Sequence, residues 1–202
     1  MPHASFNGPT LSAAHRPVIR TSRLLLRPFQ ASDLPQYATA NADPEVMRFL
    51  GGTIDRAASD SQALGANRSF QLKRYGKIAI ERISDGAFVG MCGLSFEHWY
   101  PNDLELGWRL LPCHTGNGYA TEAARAWLDY AFEVLETPRI LSIADVPNLK
   151  SIAVMQRLGM TLDHTADLEA SGEKFVAVVY SISRHRSRWH RTRRSQPQAA
   201  AD

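Results

Sequence analysis

Hydrophobic and polar residues alternate along some segments of this chain and recur with helical spacing along others. The alternation is clearest over residues 104–111, where leucine and tryptophan share one face while Glu105, Gly107 and Arg109 share the other. Helical spacing is clearest over about 118–135, where apolar residues recur on one face. The pattern therefore predicts a domain that combines strands and helices.

Turn and cap signals divide the rest of the chain. Ser84, Asp85 and Gly86 predict a hairpin, and Asp43 before Pro44 predicts a helix start. Strands are predicted over 24–26, 77–83, 87–96, 104–111, 139–144, 160–164 and 175–183, and helices after Ser32 and Asp43 and over about 56–73, 118–135 and 148–158. Consecutive strands followed by alternating strands and helices predict an α/β (α+β) fold, with one mixed sheet and helices on its faces.

Charge is distributed unevenly along the 202 residues. Residues 184–194 hold six of the 23 lysines and arginines, so acidic residues outnumber basic ones over 1–183. We predict a loose lead-in over 1–17, a folded domain over 18–183 and a basic, disordered tail over 184–202. Such a tail is either a solvated extension or a weak contact for RNA or another anion. The near-neutral domain itself is not typical of a nucleic-acid-binding face.

Composition excludes several classes of protein. No apolar run is long enough to span a bilayer or to act as a secretory signal, so we expect a cytoplasmic protein that does not bind membranes. Two cysteines are too few for a disulfide framework, and no metal-ligand spacing is present. The sequence leaves the oligomeric state undecided, with a homodimer among the alternatives.

The most informative segment runs over residues 110–124, where a strand, a turn at Gly116 and Gly118, and a long helix follow one another. Glycine permits close approach to the backbone, and the first amides of a helix carry the positive end of its dipole. This arrangement can bind a phosphate or diphosphate, although a plain connection has the same spacing. It is neither a Walker loop nor a dinucleotide-binding loop, because Thr121 replaces the third glycine of the latter.

Five blocks of sequence resemble, in order, the GCN5-related N-acetyltransferase (GNAT) superfamily and, within it, the ribosomal-protein N-acetyltransferase type. They are residues 20–28, 43–50, 88–94, 105–123 and 148–160. The resemblance covers about 20–183 and implies a mostly antiparallel sheet of about six or seven strands that splays after the fourth strand. It also implies acetyl-CoA as co-substrate, no metal, and an amine acceptor.

The acyl-CoA motif of that superfamily, Gln/Arg-x-x-Gly-x-Gly/Ala, corresponds here to residues 115–120, with Thr115 at the first position. The resemblance implies that backbone amides of the turn bind the CoA diphosphate and that the pantetheine arm runs beside Leu110. Asn148 would contact CoA across the splay, and by residue preference it also caps its helix. The predicted cofactor-binding residues are Leu110, Thr115, Gly116, Asn117, Gly118, Tyr119, Ala120, Thr121 and Asn148.

Two residues are predicted to move protons. Glu105 is the expected general base, because partial burial raises the pKa of a carboxyl and Gly107 leaves room for a substrate; the alternative is a salt bridge to Arg109. The resemblance places Met155 where the family commonly has a tyrosine acid, so Ser151 is expected to protonate the leaving thiolate, or else to be an ordinary first-turn residue.

Residues outside this pair have weaker chemical signals. His98 and Trp99 are expected in a loop, where they line the acceptor pocket or cap the sheet, and Cys113 beside His114 is a less favoured nucleophile. The leading hypothesis is direct N-acetyl transfer from acetyl-CoA to a protein N-terminal α-amine or a small amine. Two alternatives stay open: a CoA-binding regulatory module without turnover, and an RNA- or ribosome-associated protein that acts through its basic tail.

Overall fold

The computed structural model describes residues 19–170 and 172–184. Within them the strands are β1 Ile19–Arg20, β2 Leu24–Arg27, β3 Lys77–Arg82, β4 Phe88–Glu97, β5 Tyr100–Leu110, β6 Arg139–Asp145, β7 Thr161–Ala170 and β8 Glu173–Ser183. The α-helices are α1 Leu34–Asn41, α2 Pro44–Met47, α3 Arg56–Lys73, α4 Tyr119–Glu133 and α5 Leu149–Arg157. The predicted lead-in over 1–17 and nearly all of the predicted tail lie outside the described residues.

The strands form one sheet in the order β1-β2-β3-β4-β5-β6-β8-β7. Neighbouring strands are antiparallel except β5 and β6, which are parallel and pair only at Leu104 with Ile140 and at Glu105 with Leu141. The hydroxyl of Ser142 donates a hydrogen bond to the Leu106 carbonyl 2.8 Å away, next to the point where the two strands separate. Because β5 corresponds to the fourth predicted strand, the structure confirms the mixed fold with its predicted splay.

The sheet has eight strands where six or seven were expected, because β1 is an additional strand of two residues. Ile19 and Arg20 are too few to show an alternating pattern, and they pair with Leu26 and Leu25 of β2. Strand β7 is also longer than predicted. Most of its residues are exposed on both faces, so hydrophobic and polar residues do not alternate in the way that predicts a strand.

Side chains alternate between two hydrophobic clusters, one on each face of the sheet. Ile78 and Ile80 of β3 belong to the larger cluster with α4 and α5, whereas Ala79 belongs to the smaller one with α1 and α3. The predicted apolar stripe of α4 is buried in the larger cluster, with Trp127 fully buried at its centre. Burial of this stripe orients α4 so that its first turn lies at the splay.

Helix starts follow the predicted caps with one exception. Asp43 accepts a hydrogen bond from the Glu45 amide at 2.8 Å, as expected for a cap followed by Pro44. For α1 the expected cap at Ser32 is wrong, because Asp33 occupies the cap position and makes no side-chain cap bond. Its carboxylate is paired instead with the buried guanidinium of Arg27 at 2.6 Å. The Asp33 carboxylate thus neutralises the buried Arg27 guanidinium and does not cap the first turn of α1.

Candidate active site

Two clefts meet where β5 and β6 separate. The larger, of about 1680 Å³, runs past the glycine turn and the first turns of α4 and α5. The smaller, of about 620 Å³, lies over β3 and β5 on the side of α3. The two clefts share Arg48, Phe49, Leu50, Trp108, Arg109, Asn148 and Ser151 in their walls. Ligands in the two clefts can therefore meet at this shared wall.

The glycine turn brings the first turn of α4 to the larger cleft. Gly116 and Gly118 have φ angles of 82° and 77°, in the left-handed region that favours glycine. Gly118 is the residue before the helix and supplies no side-chain cap, so first-turn amides of α4 are without a capping side chain, and residues of that turn line the larger cleft. Of the predicted cofactor-binding residues, all but Asn117 line this cleft: Leu110, Thr115, Gly116, Gly118, Tyr119, Ala120, Thr121 and Asn148.

Asn117 and Thr115 hold the turn together from within. The side-chain amide of Asn117 donates to the carbonyls of His114 and Thr115, at 3.3 and 3.2 Å, and Asn117 does not line the cleft. The hydroxyl of Thr115 donates to the Pro112 carbonyl at 2.9 Å. Since that proton is used inside the loop, the Thr115 hydroxyl can offer a ligand only its lone pairs.

Arg23, which sequence reasoning missed, connects β2 to the glycine turn and α4. Its guanidinium donates to Glu122 at 2.6 Å and to the Asn117 carbonyl at 3.1 Å, and it lies 4.8 Å from the Tyr119 ring centre. Burial raises the pKa of Glu122, but hydrogen bonds from Thr21 and Arg23 outweigh this effect and lower it. Arg23 thereby offsets a carboxylate that would repel phosphate at the helix start. No local sequence pattern indicates this long-range contact.

The chemistry of the larger cleft fits coenzyme A. Free amides at a helix N-terminus bind a diphosphate, and the surrounding side chains add positive charge. The basic residues in its walls are Arg20, Arg23, Arg48, Arg109, Arg125, Lys150 and Arg157. The splay beside Leu110 leaves backbone groups of β5 without a neighbouring strand, as an extended amide-bearing chain such as pantetheine requires.

Glu105 is buried in the wall of the smaller cleft, with 6% of its surface exposed. The ammonium of Lys77 lies 3.0 Å from Glu105 Oε2 and 3.1 Å from Glu97 Oε1, so one cation bridges two carboxylates. Burial raises the pKa of Glu105, and the Glu97 carboxylate adds to the rise. The Lys77 ammonium and the Ile143 amide oppose it without cancelling it. Glu105 is therefore a more effective proton acceptor than an exposed carboxylate.

The ion pair that we considered between Glu105 and Arg109 is not present. Arg109 donates instead to Asn41 Oδ1 and lies over the Tyr37 ring, with 5.6 Å from Cζ to the ring centre. Glu105 and Arg109 are four residues apart on one strand, which separates their Cα atoms by about 14 Å. The distance along the strand thus favours a partner from another strand.

Lys77 reaches Glu105 because two glycines lie between them. Lys77 pairs with Gly93 on β4, and Gly93 pairs with Gly107 on β5. A Cβ on Gly107 would lie 2.9 Å from Lys77 Cε. The space beside Gly107 that we expected to admit a substrate is therefore filled by the lysine side chain.

The other predicted residues are divided between the clefts and the surface. Ser151 lines both clefts, and its amide donates to Asn148 Oδ1 at 3.2 Å, which confirms Asn148 as the helix cap. Met155 is fully buried and lines the smaller cleft without a proton to donate. Cys113 is exposed in a short 3-10 turn and lines neither cleft.

The aromatic pair before β5 lies in a tight turn and not in a loop, because β5 begins at Tyr100. Trp99 lines the smaller cleft, donates to the Glu169 carbonyl at 3.1 Å and packs against Phe175. His98 stacks on Trp99 and does not line either cleft. Only Trp99 of the two is thus placed where a substrate could touch it.

The described ranges 19–170 and 172–184 contain neither a metal-ligand cluster nor a membrane-spanning helix. No group of three or more His, Cys, Asp or Glu side chains there could hold a metal ion. No helix in this part of the chain is long and apolar enough to cross a membrane.

Comparison with known proteins identifies the family. The Acetyltransferase (GNAT) domain matches residues 23–161. An acetyltransferase from Agrobacterium tumefaciens is 32% identical, with a TM-score of 0.70 over 90% of this chain and 98% of that one. The FsC-acetyl coenzyme A-N(2)-transacetylase of Aspergillus fumigatus is 26% identical over 86% of this chain and 84% of its own length. The ribosomal L7/L12 alpha-N-protein acetyltransferase RimL shares the fold, with a TM-score of 0.71 over 84% of this chain and 94% of that one, at 15% identity.

The chain belongs to the GNAT acetyltransferase family. It is an acetyltransferase whose acetyl donor is acetyl-CoA and whose acceptor is an amine. The predictions of the family, the class of enzyme and the co-substrate are thus confirmed, while the roles of individual site residues stay predictions.

Variants of the Lys77 network should move the pH profile in opposite directions. Lys77→Met removes a cation that lowers the pKa of Glu105, so the acidic limb of kcat/KM is expected at higher pH. Glu97→Gln removes a carboxylate that raises this pKa, so the limb is expected at lower pH. The measurement is kcat/KM for acetyl transfer against pH. Shifts in the same direction would show that Glu105 does not set this limb.

Proposed function

We propose that this enzyme acetylates a primary amine, either a protein N-terminal α-amine or the amine of a small molecule, by direct attack on acetyl-CoA in a ternary complex. Glu105 is the general base. An α-amine has a pKa of about 7.7–8.0, against about 10.4 for lysine, so it needs less help from a base near neutral pH. The fold shared with a ribosomal alpha-N-protein acetyltransferase supports the protein N-terminus as one acceptor.

One observation carries this proposal. The buried carboxylate of Glu105 lines the smaller cleft, which meets the larger cleft at Trp108, Asn148 and Ser151. An amine in the smaller cleft and a thioester in the larger cleft would therefore approach each other beside the splay. This juxtaposition favours direct transfer over a route through Cys113, which lies outside both clefts.

Acetyl-CoA supplies the activated thioester when it is bound. Amides of the first turn of α4 hold its diphosphate, and backbone amides freed by the splay near Leu110 polarise the carbonyl oxygen. Glu105 accepts the proton that the amine loses, directly or through one water molecule. As the new C–N bond forms, the C–S bond breaks and the Ser151 hydroxyl gives its proton to the departing thiolate. Ser151 then regains a proton from solvent, and Glu105 releases to solvent the proton that it took from the amine.

The decisive experiment measures release of free thiol from acetyl-CoA in the presence of a panel of amines, together with CoA binding by calorimetry. We expect thiol release that depends on the amine and formation of the N-acetyl product. CoA binding without release for any amine would instead indicate a CoA-binding module without turnover. The predicted RNA contact of the tail lies outside the described residues and stays a separate prediction.

Ser151→Ala should lower kcat by about tenfold and leave the KM for acetyl-CoA unchanged. This effect is smaller than the roughly 10²–10⁴-fold typical of a general acid, because a thiol with a pKa of about 8.5 is a good leaving group without protonation. Ser151→Thr keeps the hydroxyl and serves as the matched control, with kcat near the wild-type value. Equal kcat values for the alanine and threonine variants would remove the proposed role.

A further inference from the structure

Arg109 is a partly buried cation without an acidic partner among the described residues. No carboxylate of the described residues lies within ion-pair distance of its guanidinium, and its Nε atom is buried without a hydrogen-bond partner among them. Its guanidinium donates a hydrogen bond to Asn41 Oδ1, and its Cζ lies 5.6 Å from the centre of the Tyr37 ring. Both of these contacts are to neutral groups.

This arrangement differs from that of Arg27, whose side chain is more deeply buried than that of Arg109. Asp33 and Glu81 each lie 2.6 Å from the Arg27 guanidinium. An isolated charge in a poorly solvated position is unfavourable unless an anion compensates it. Burial accordingly lowers the pKa of Arg109. The fold therefore places two carboxylates beside Arg27 and none of the described carboxylates beside Arg109.

The location of Arg109 indicates which ligand. It lies on the same face of β5 as Glu105 and lines both clefts at their junction. The two carboxylates at the other end of the smaller cleft, Glu97 and Glu105, are bridged by Lys77. Arg48, which is exposed and also lines both clefts, adds a second positive charge near Arg109. The smaller cleft thus has a proton-accepting end and a cationic end.

We infer that Arg109 binds a carboxylate of the amine acceptor, so that preferred acceptors carry a carboxylate several bonds away from the reacting amine. This inference rests on the proposed function, because it assigns the smaller cleft to the acceptor. The carboxylate comes either from an acidic side chain next to a peptide N-terminus or from the free carboxyl group of a small amino compound. Guanidinium groups bind carboxylates through two parallel hydrogen bonds, which gives both affinity and orientation.

The first test compares acceptors that differ only in this group. Peptide amides with Glu or Gln at the second position test the side-chain source, and dipeptides with a free or amidated C-terminus test the terminal carboxylate. We expect a KM about tenfold or more lower for the acid of at least one pair, with similar kcat, because a hydrogen-bonded charge pair contributes that much affinity. Equal KM values within both pairs would overturn the inference.

Asn41→Asp is the sharpest variant, because it changes the partner and leaves Arg109 intact. The new carboxylate would accept from Arg109 and from the Ser59 hydroxyl, which now accepts a hydrogen bond from the Asn41 amide at 2.8 Å. This internal carboxylate would then form an ion pair with the Arg109 guanidinium and compete with the carboxylate of an acceptor. We expect the preference for acidic acceptors to disappear while the KM for the neutral acceptors stays unchanged. A retained preference would contradict the inference.

Arg109→Gln should have the same effect on selectivity, and Arg56→Gln is the matched control. Arg56 is exposed, pairs with Asp60 on α3 and lines neither cleft, so its variant should keep the wild-type preference. The KM for acetyl-CoA is measured in parallel. If Arg109→Gln raises the KM for acetyl-CoA and leaves acceptor selectivity unchanged, Arg109 contacts acetyl-CoA and not the acceptor, and the inference is wrong.

A binding measurement separates this inference from the proposed function. Calorimetry with the CoA complex reports peptide affinity without any turnover. If the wild-type enzyme binds the acidic peptide more tightly than the amide peptide, and Asn41→Asp abolishes this difference, the carboxylate site is supported. This holds even if no acetyl transfer is seen, and in that case only the proposed function fails. Equal binding of the acid and amide peptides overturns the inference even if the enzyme acetylates both.

Discussion

The Gly118→Val variant is expected to bind CoA about 100-fold more weakly than the wild-type enzyme, or worse. Gly118 has a φ of 77° and precedes α4, so a β-branched residue there is strained and moves the first-turn amides out of position. Its Cβ would make only an ordinary van der Waals contact, 3.6 Å from the Arg23 guanidinium, so the effect comes from the strained backbone. Loss of two charge-assisted hydrogen bonds to a diphosphate accounts for a change of this size.

Calorimetric titration with CoA measures this effect, and pantetheine, which lacks the diphosphate together with the adenosine 3′-phosphate attached to it, gives the reference affinity. In the Gly118→Val variant, the affinity for CoA should fall most of the way to the affinity for pantetheine. Gly86→Val is the matched control, because Gly86 has a φ of 71° in an exposed hairpin that lines neither cleft. Both variants should show a lowered Tm, but only Gly118→Val should lose affinity for CoA. Undiminished CoA binding by Gly118→Val would contradict the placement of the diphosphate.

The Glu105→Gln variant is expected to lower kcat/KM by about 100-fold near pH 7, the range typical of a lost general base. Because burial raises the pKa of Glu105, the wild-type rate should rise with pH as this carboxyl loses its proton. The variant depends instead on the fraction of amine that is already unprotonated, and this fraction increases up to the pKa of the amine. The loss should therefore shrink as the pH is raised.

The measurement is a pair of profiles of kcat/KM against pH with the same α-amine acceptor. Glu97→Gln provides the control, because it makes the same acid-to-amide change on the other side of Lys77 but on a more exposed side chain. It should keep most of the activity. A Glu105→Gln variant with the wild-type pH dependence would exclude Glu105 as the base.

The two clefts also explain why the acetyl donor was easier to predict than the acceptor. The donor site depends on a glycine turn and a helix start that are contiguous in sequence, and the family resemblance adds its motif. The acceptor side combines residues from β3, β5, α1 and the turn at Trp99, which are far apart along the chain. Their side chains meet only after the sheet has formed, so the sequence analysis named Glu105 and Trp99 but not Lys77 or Tyr37.

The sequence by itself determined the local elements of this protein. It defined the helix over Arg56–Lys73, the start at Asp43, the hairpin at Gly86 and the glycine turn before α4, since each depends on the backbone preferences of adjacent residues. Only the tertiary structure decided how charges are paired. Glu105 meets Lys77 across two glycines, and Arg109 is left without an anion, because strand register and side-chain reach depend on contacts between distant segments.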